Sequence, residues 1–175
     1  EISGIARSVR EAYMGMNGNE PFTLKDGTLT KGAKTLTDNY ELIDKLKAEQ
    51  DVELSLFYGD TRLLTTLTDE SGKREINTQM SDEVYAQVSK GEDYYARDLE
   101  LFGTTYAGYY VPLYQPDSNE IVGSIFCGRS QQQVFGGLKD TVFSMAAAML
   151  GIFAVTFVIV LFLVIRIIKT LNGAV

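Results

Sequence analysis

"VELSLFYGDTRLLTTL", residues 52–67, decides the architecture. Val52, Leu54, Leu56 and Tyr58 alternate, so they share one face of an extended segment. Gly59-Asp60 fits a two-residue II′ turn with glycine first, and "TRLLTTL" (61–67) returns as a second strand. Arg62 stands in that return strand among apolar and hydroxylated neighbours. A charge in such a strand either points to water, pairs with Asp60 or Asp69, or is completed by an anion. The planar guanidinium suits the last role, because it can donate two parallel hydrogen bonds to a carboxylate.

Outward from this hairpin the chain alternates between helical and extended patterns. Ile2, Ile5, Val9, Ala12, Tyr13 and Met16 form a stripe at three- and four-residue spacing, which predicts a helix ending near Gly15–Gly18. Residues 17–36 read as a loop with room for short strands. Asp38 and Glu41 have capping-box spacing ahead of a helix that ends near Gln50. "DESGKR" (69–74) is a polar turn, and Ser81 is placed to cap a short helix through Ser89. Three more strands are predicted at 93–101, 104–114 and 121–128, with "QPDSNE" (115–120) turning between the last two. Pro112 requires an edge position or an interrupted ladder. Strands joined by short turns predict an antiparallel sheet in an α+β domain, with helices on one face and the other free for a ligand.

From Thr141 to Ile165 no residue is charged, and this C-terminal stretch has no polar face. It is long enough to cross a bilayer as a helix, which needs about 20 residues. Arg166 and Lys169 follow it, so the positive-inside rule puts the C-terminus in the cytoplasm and residues 1–140 outside the cell membrane. Glu1 in place of a methionine is taken as the start of a fragment. Residues 1–140 hold 14 basic and 23 acidic residues, a net charge of −9, which argues against nucleic acid as a partner. The chain has no histidine and one cysteine, Cys127. Histidine-based catalysis, histidine metal sites and intrachain disulfides are therefore excluded. No carboxylate pair occupies an apolar setting, so no enzyme and no cofactor are expected.

In order along the chain stand "DNYELIDKLKAEQ" (38–50), "FYGDTRLLTTL" (57–67), "GKR" (72–74), "SDEVYAQVSKGEDYY" (81–95), "YAGYYVPLY" (106–114) and "EIVGSIFCGRS" (120–130). With a membrane helix 11 residues further on, this series resembles the extracellular single Cache domain, type 3, of bacterial methyl-accepting chemotaxis receptors. The resemblance implies a PAS-like fold with a five-stranded antiparallel sheet and a long N-terminal helix behind it. A small-molecule pocket would lie between the sheet and residues 72–97. It also implies a homodimer through the N-terminal helices. The domains expected are an N-terminal signalling helix at 1–18, a Cache ligand-binding domain at 19–133, a transmembrane helix at 141–165, and the start of a HAMP-like linker at 166–175. The last departs from the usual pattern, since no proline follows Arg166. A sensor histidine kinase and a ligand-free, membrane-anchored adhesion or scaffold domain are the alternatives.

The resemblance also orders the candidate ligand contacts. In carboxylate-sensing relatives an arginine matching Arg62 grips the ligand. Thr65 stands where some relatives have histidine; in a regular strand it opposes Arg62, and it joins Arg62 only across a bulge. Arg74 lies in the loop that relatives use to close the pocket, although such turn residues are commonly just solvated. Tyr94, Tyr95 and Arg97 follow the short helix, and Tyr106 and Tyr109 stand on the next strand; for each tyrosine, core packing competes with ligand contact. Dicarboxylate and citrate sensors carry a second basic residue on the strand matching 106–114. Here that strand opens "YAGYY" (106–110), which favours a small monocarboxylate such as acetate, pyruvate or lactate, or an uncharged metabolite.

Overall fold

The structure is a computed structural model that describes the backbone of residues 1–172 and the side chains of 1–131, 142–157 and 159–166. Of the HAMP-like start expected at 166–175, only Arg166 has a described side chain, and residues 173–175 lie outside the described residues. Two compact units are present, residues 1–131 and 132–175.

The first unit is α+β. Helix α1 (Ile2–Gly15) is followed by three short strands, β1 (Phe22–Lys25), β2 (Thr28–Lys31) and β3 (Lys34–Thr35), which pair as a small meander. Then come α2 (Glu41–Gln50), β4 (Glu53–Tyr58), β5 (Thr61–Thr65), α3 (Asp82–Val88), β6 (Tyr94–Leu101), β7 (Thr104–Tyr114) and β8 (Ile121–Ser130). The last five strands form one antiparallel sheet in the order β5-β4-β8-β7-β6.

Local chemistry accounts for most element boundaries. Gly59 adopts φ 59°, as the first position of the β4–β5 turn demands. The Ser81 hydroxyl accepts from the Val84 amide and caps α3. The capping box expected at Asp38 does not form. Asp38 sits at φ 62° and accepts from the Tyr40 hydroxyl, and Tyr40 is the N-cap of α2 without a side-chain bond. Pro112 is accommodated because β6 pairs with β7 only as far as Tyr110, so one side of β7 lacks a neighbouring strand at Pro112.

Each sheet face carries its own core. Behind the sheet, Ala6, Val9 and Tyr13 of α1 and Ile43 of α2 pack on Leu54, Leu56, Leu64, Val111, Leu113, Ile125 and Cys127. Phe22, Leu29 and Leu36 of the meander join this cluster. Lys31 is fully buried there, and its ammonium donates to the carbonyls of Met16 and Gly18 at the end of α1. On the front face Phe57, Leu67, Met80, Val84, Val88, Tyr106, Tyr110 and Phe126 form a second, aromatic-rich cluster. The front face is thus roofed by α3 and the segment after β5 rather than left bare.

The second unit is most of helix α4 (Gln131–Asn172). Val142–Arg166, 25 residues long, contains an 18-residue window of mean hydropathy 3.0, and its described side chains are exposed all round. It is long and apolar enough to cross a membrane.

Candidate functional site

The front face is assembled by register. Phe57 of β4 pairs with Arg62 of β5 and with Ser124 of β8, and Ser124 pairs with Pro112 of β7. The next front-facing row runs Thr65, Ser55, Phe126, Tyr110, Tyr94 from one sheet edge to the other. Arg62 and Thr65 are three residues apart and would oppose each other in a regular strand. Leu56 pairs with Leu64 and Phe57 with Arg62, so Leu63 is an extra residue, and this bulge returns Arg62 to the face that carries Thr65.

Arg62 is only 2% exposed. Its Nη1 donates to the Thr78 hydroxyl at 2.6 Å, while Nε is buried without a partner. The guanidinium lies over two phenyl rings, Phe57 at 4.9 Å and Phe102 at 5.5 Å from ring centroid to Cζ. No carboxylate among the described residues comes within ion-pair distance of it. Burial pulls its pKa below the ordinary arginine value, and Tyr110 and Glu75 oppose that shift from longer range. Thr78 is held by the chain itself. The Arg62 amide donates to the Thr78 carbonyl at 2.8 Å and the Asn77 amide to the Arg62 carbonyl at 2.7 Å, so residues 77–79 line the outer edge of β5.

Around Arg62 the polar groups are hydroxyls. Ser55 and Thr65 share a hydrogen bond of 2.8 Å and are fully buried. Ser124 is buried and its Oγ has no partner. The Tyr110 ring lies 4.9 Å from that of Phe126, and burial pushes its phenol up to about 12. Tyr106 belongs to the same cluster and its phenol is also raised by burial. Gly108 and Gly128 form a floor beneath Phe126, since a Cβ on either would meet its ring at 2.6 or 2.4 Å.

The other expected contacts are placed as follows. Tyr94 is on the Arg62 face, donating from its hydroxyl to Glu83 at 2.9 Å and packing 6.4 Å from Tyr110. Tyr95 and Tyr109 pair on the opposite face. There the Tyr109 hydroxyl donates to Asp93, which also accepts from Arg7 of α1 at 2.7 Å. Arg97 is exposed in a β6 bulge. Arg74 grips both carboxylate oxygens of Asp44 at 2.9 and 2.7 Å, donates to the Thr65 carbonyl, and stacks 4.0 Å from the Tyr40 ring. It ties the segment after β5 to α2.

Phe57, Ser55, Ser124, Thr78 and Phe102 were not foreseen at this site. Ser55 and Ser124 carried the same signal as Arg62, a polar residue inside an apolar strand. Thr78 and Phe102 come from turns, where strand alternation says nothing about direction.

A five-stranded antiparallel sheet, helices behind it, and a roofed front face holding a buried cation define a PAS-like ligand-binding domain. Residues 34–141 match the family described as single Cache domain 3, and since this is more than half of the chain, the chain belongs to that family. No curated protein matches it. Cache domains are extracytoplasmic modules that bind small molecules, and this chain carries such a sensor domain.

Proposed function

We propose that the chain is the sensing half of a transmembrane chemoreceptor that binds a small monocarboxylate on Arg62 and signals through α4 into the cytoplasm. The reading rests on one observation: among the described residues, a buried guanidinium with a single hydrogen-bond partner, an unpaired Nε and no carboxylate beside it. Burying an uncompensated charge is costly, and a ligand anion removes that cost while using the free donors. Ser55, Thr65, Ser124, Tyr94, Tyr106 and Tyr110 supply hydroxyls and apolar area around it. With Arg74 bound to Asp44 and Arg97 exposed, Arg62 is the one buried cation of the front face among the described residues, which fits one carboxylate better than two or three. Cache domains are ligand-binding modules in general, and no catalytic role is proposed.

The test is thermal unfolding of the full chain in detergent micelles with acetate, pyruvate, lactate, succinate and citrate, for native protein and Arg62→Ala. A monocarboxylate at about 100 times its Kd should stabilise the native protein by about 2.7 kcal/mol and leave Arg62→Ala unmoved. Tight binding of succinate or citrate alone would overturn the charge count. No shift with any compound would favour the ligand-free domain.

A further inference from the structure

Phe102 reaches Arg62 from an unexpected direction. Arg62 lies in the cross-strand row that ends at Pro112. Phe102 lies beyond Thr104, at the other end of β7, about 26 Å away along an extended strand at 3.3 Å per residue. Yet its ring is 5.5 Å from the guanidinium. The β6–β7 hairpin therefore folds across the front face, and Leu99, Leu101 and Tyr106 from its arms pack into the front cluster.

The hairpin tip has the properties of a moving part. Phe102 and Gly103 are its two central residues, at φ 50° and 78°. The left-handed conformation suits Gly103 and is disfavoured for a phenylalanine. Phe102 is 46% exposed, whereas Phe57, whose ring centroid lies 4.9 Å from the same guanidinium, is fully buried. Below the tip, the β6–β7 ladder breaks between Ala96 and Leu99, leaving Arg97 and Asp98 in a bulge. The Gln131 side chain reaches that bulge: its Nε2 donates to the Arg97 carbonyl at 3.0 Å and to Asp98 Oδ1 at 2.7 Å. Gln131 is the first residue of α4, the helix that contains the apolar span.

We propose that the β6–β7 turn is a lid over Arg62, with Phe102 as the ring that an entering anion displaces, and that the bulge beneath it passes the lid's position to Gln131. The anion part rests on the Arg62 reading above; the lid and its link to Gln131 do not. Displacing Phe102 removes one of the two rings at the guanidinium while the buried Phe57 stays in place. The tip can then pivot only at the bulge, where the ladder is already broken, and the pivot moves the two acceptors that fix Gln131.

The experiment uses the full chain in lipid nanodiscs. Labelling of Arg62 by p-hydroxyphenylglyoxal, read by peptide mass spectrometry, should be at least ~10-fold faster in Phe102→Ala than in native protein, with Phe102→Leu intermediate. Equal rates would overturn the lid, and a near-native melting temperature of Phe102→Leu guards against simple misfolding. Hydrogen exchange over residues 131–135 should differ between native and Phe102→Ala, and this difference should vanish in the Gln131→Ala background. A difference that persists there would overturn the link. Pyruvate should slow labelling of Arg62 in Phe102→Ala; failure of that step alone would refute the anion reading and leave the lid standing.

Discussion

Replacing Arg62 by methionine removes the charge while keeping much of the volume, and the ligand-free protein should tolerate it. The native side chain gains one charge-assisted hydrogen bond to Thr78, worth about 1.5–3 kcal/mol. Contacts with Phe57 and Phe102 add about 0.5–2 kcal/mol each. Against these stands the desolvation of a charge at 2% exposure, several kcal/mol for an ion without a counter-charge. The terms nearly cancel, and methionine recovers apolar burial against the same two rings. Arg62→Met should therefore lie between neutral and about 2 kcal/mol more stable than the native protein without ligand. At about 100 times the Kd of the best carboxylate the order should reverse, because only the native protein gains about 2.7 kcal/mol. Urea unfolding with and without that carboxylate, followed by tyrosine fluorescence, measures both. A loss of more than about 2 kcal/mol in the ligand-free variant would show that the native protein already satisfies the guanidinium, and would refute the argument from a missing anion.

Three further outcomes follow from the packing. Gly123→Ala should prevent correct pairing of β4 with β8, since a Cβ there would lie 1.9 Å from the Phe57 carbonyl oxygen; the expected loss exceeds about 3 kcal/mol, measurable as a collapsed urea midpoint. Arg74→Lys should cost about 1 kcal/mol in the same assay, because an ammonium cannot reproduce the two-pronged grip on Asp44 and the stack on Tyr40, and the partly exposed pair is screened by solvent. Burial pushes the Cys127 thiol up to about 12. The fold holds the neutral thiol, so its contribution is complete below the unfolded thiol pKa near ~8.5 and falls by about 1.4 kcal/mol per pH unit as pH rises towards the folded value. Tyr110, also raised to about 12, adds to this loss only above about pH 10. Stability should thus decline between about pH 8.5 and 10 in the native protein and stay flat in Cys127→Ala; an equal decline in both would remove Cys127 as the cause.

How much was legible in the sequence depended on how local the signal was. Strands, the Gly59 turn, the Ser81 cap and the α1 stripe each follow from neighbours a few residues apart, and all four are present. The capping box at Asp38 failed because spacing does not reveal φ, and Asp38 is left-handed. The meander of residues 22–35 showed only as room for short strands, since two- to four-residue strands leave too few positions for alternation. Tyr109 was named beside Tyr106 as a candidate contact, and its pairing with Tyr95 and its hydrogen bond to Asp93 put it on the face opposite Arg62. Arg62 was found because a charge in an apolar strand is conspicuous. Its partners Thr78 and Phe102 were hidden because chain reversals bring them there, and those depend on the whole fold.

The extra residue at Leu63 has a consequence for comparing or redesigning sequences of this kind. Leu63 and Leu64 both face the rear core, so the strand spends two consecutive residues on one side. An alignment that placed its gap at Arg62 instead would exchange the arginine for a leucine on the front face and misjudge which sequences place a cation there. Deleting Leu63 alone would leave Thr65, Leu64 and Arg62 opposite Ser55, Leu56 and Phe57, so Arg62 would stay on the front face of a regular strand. Straightening β5 with Leu63 retained, and Leu64 and Thr65 kept in register, would instead turn Arg62 into the apolar layer beneath α1 and α2. Anion affinity would be lost although every candidate contact residue was still present in the chain.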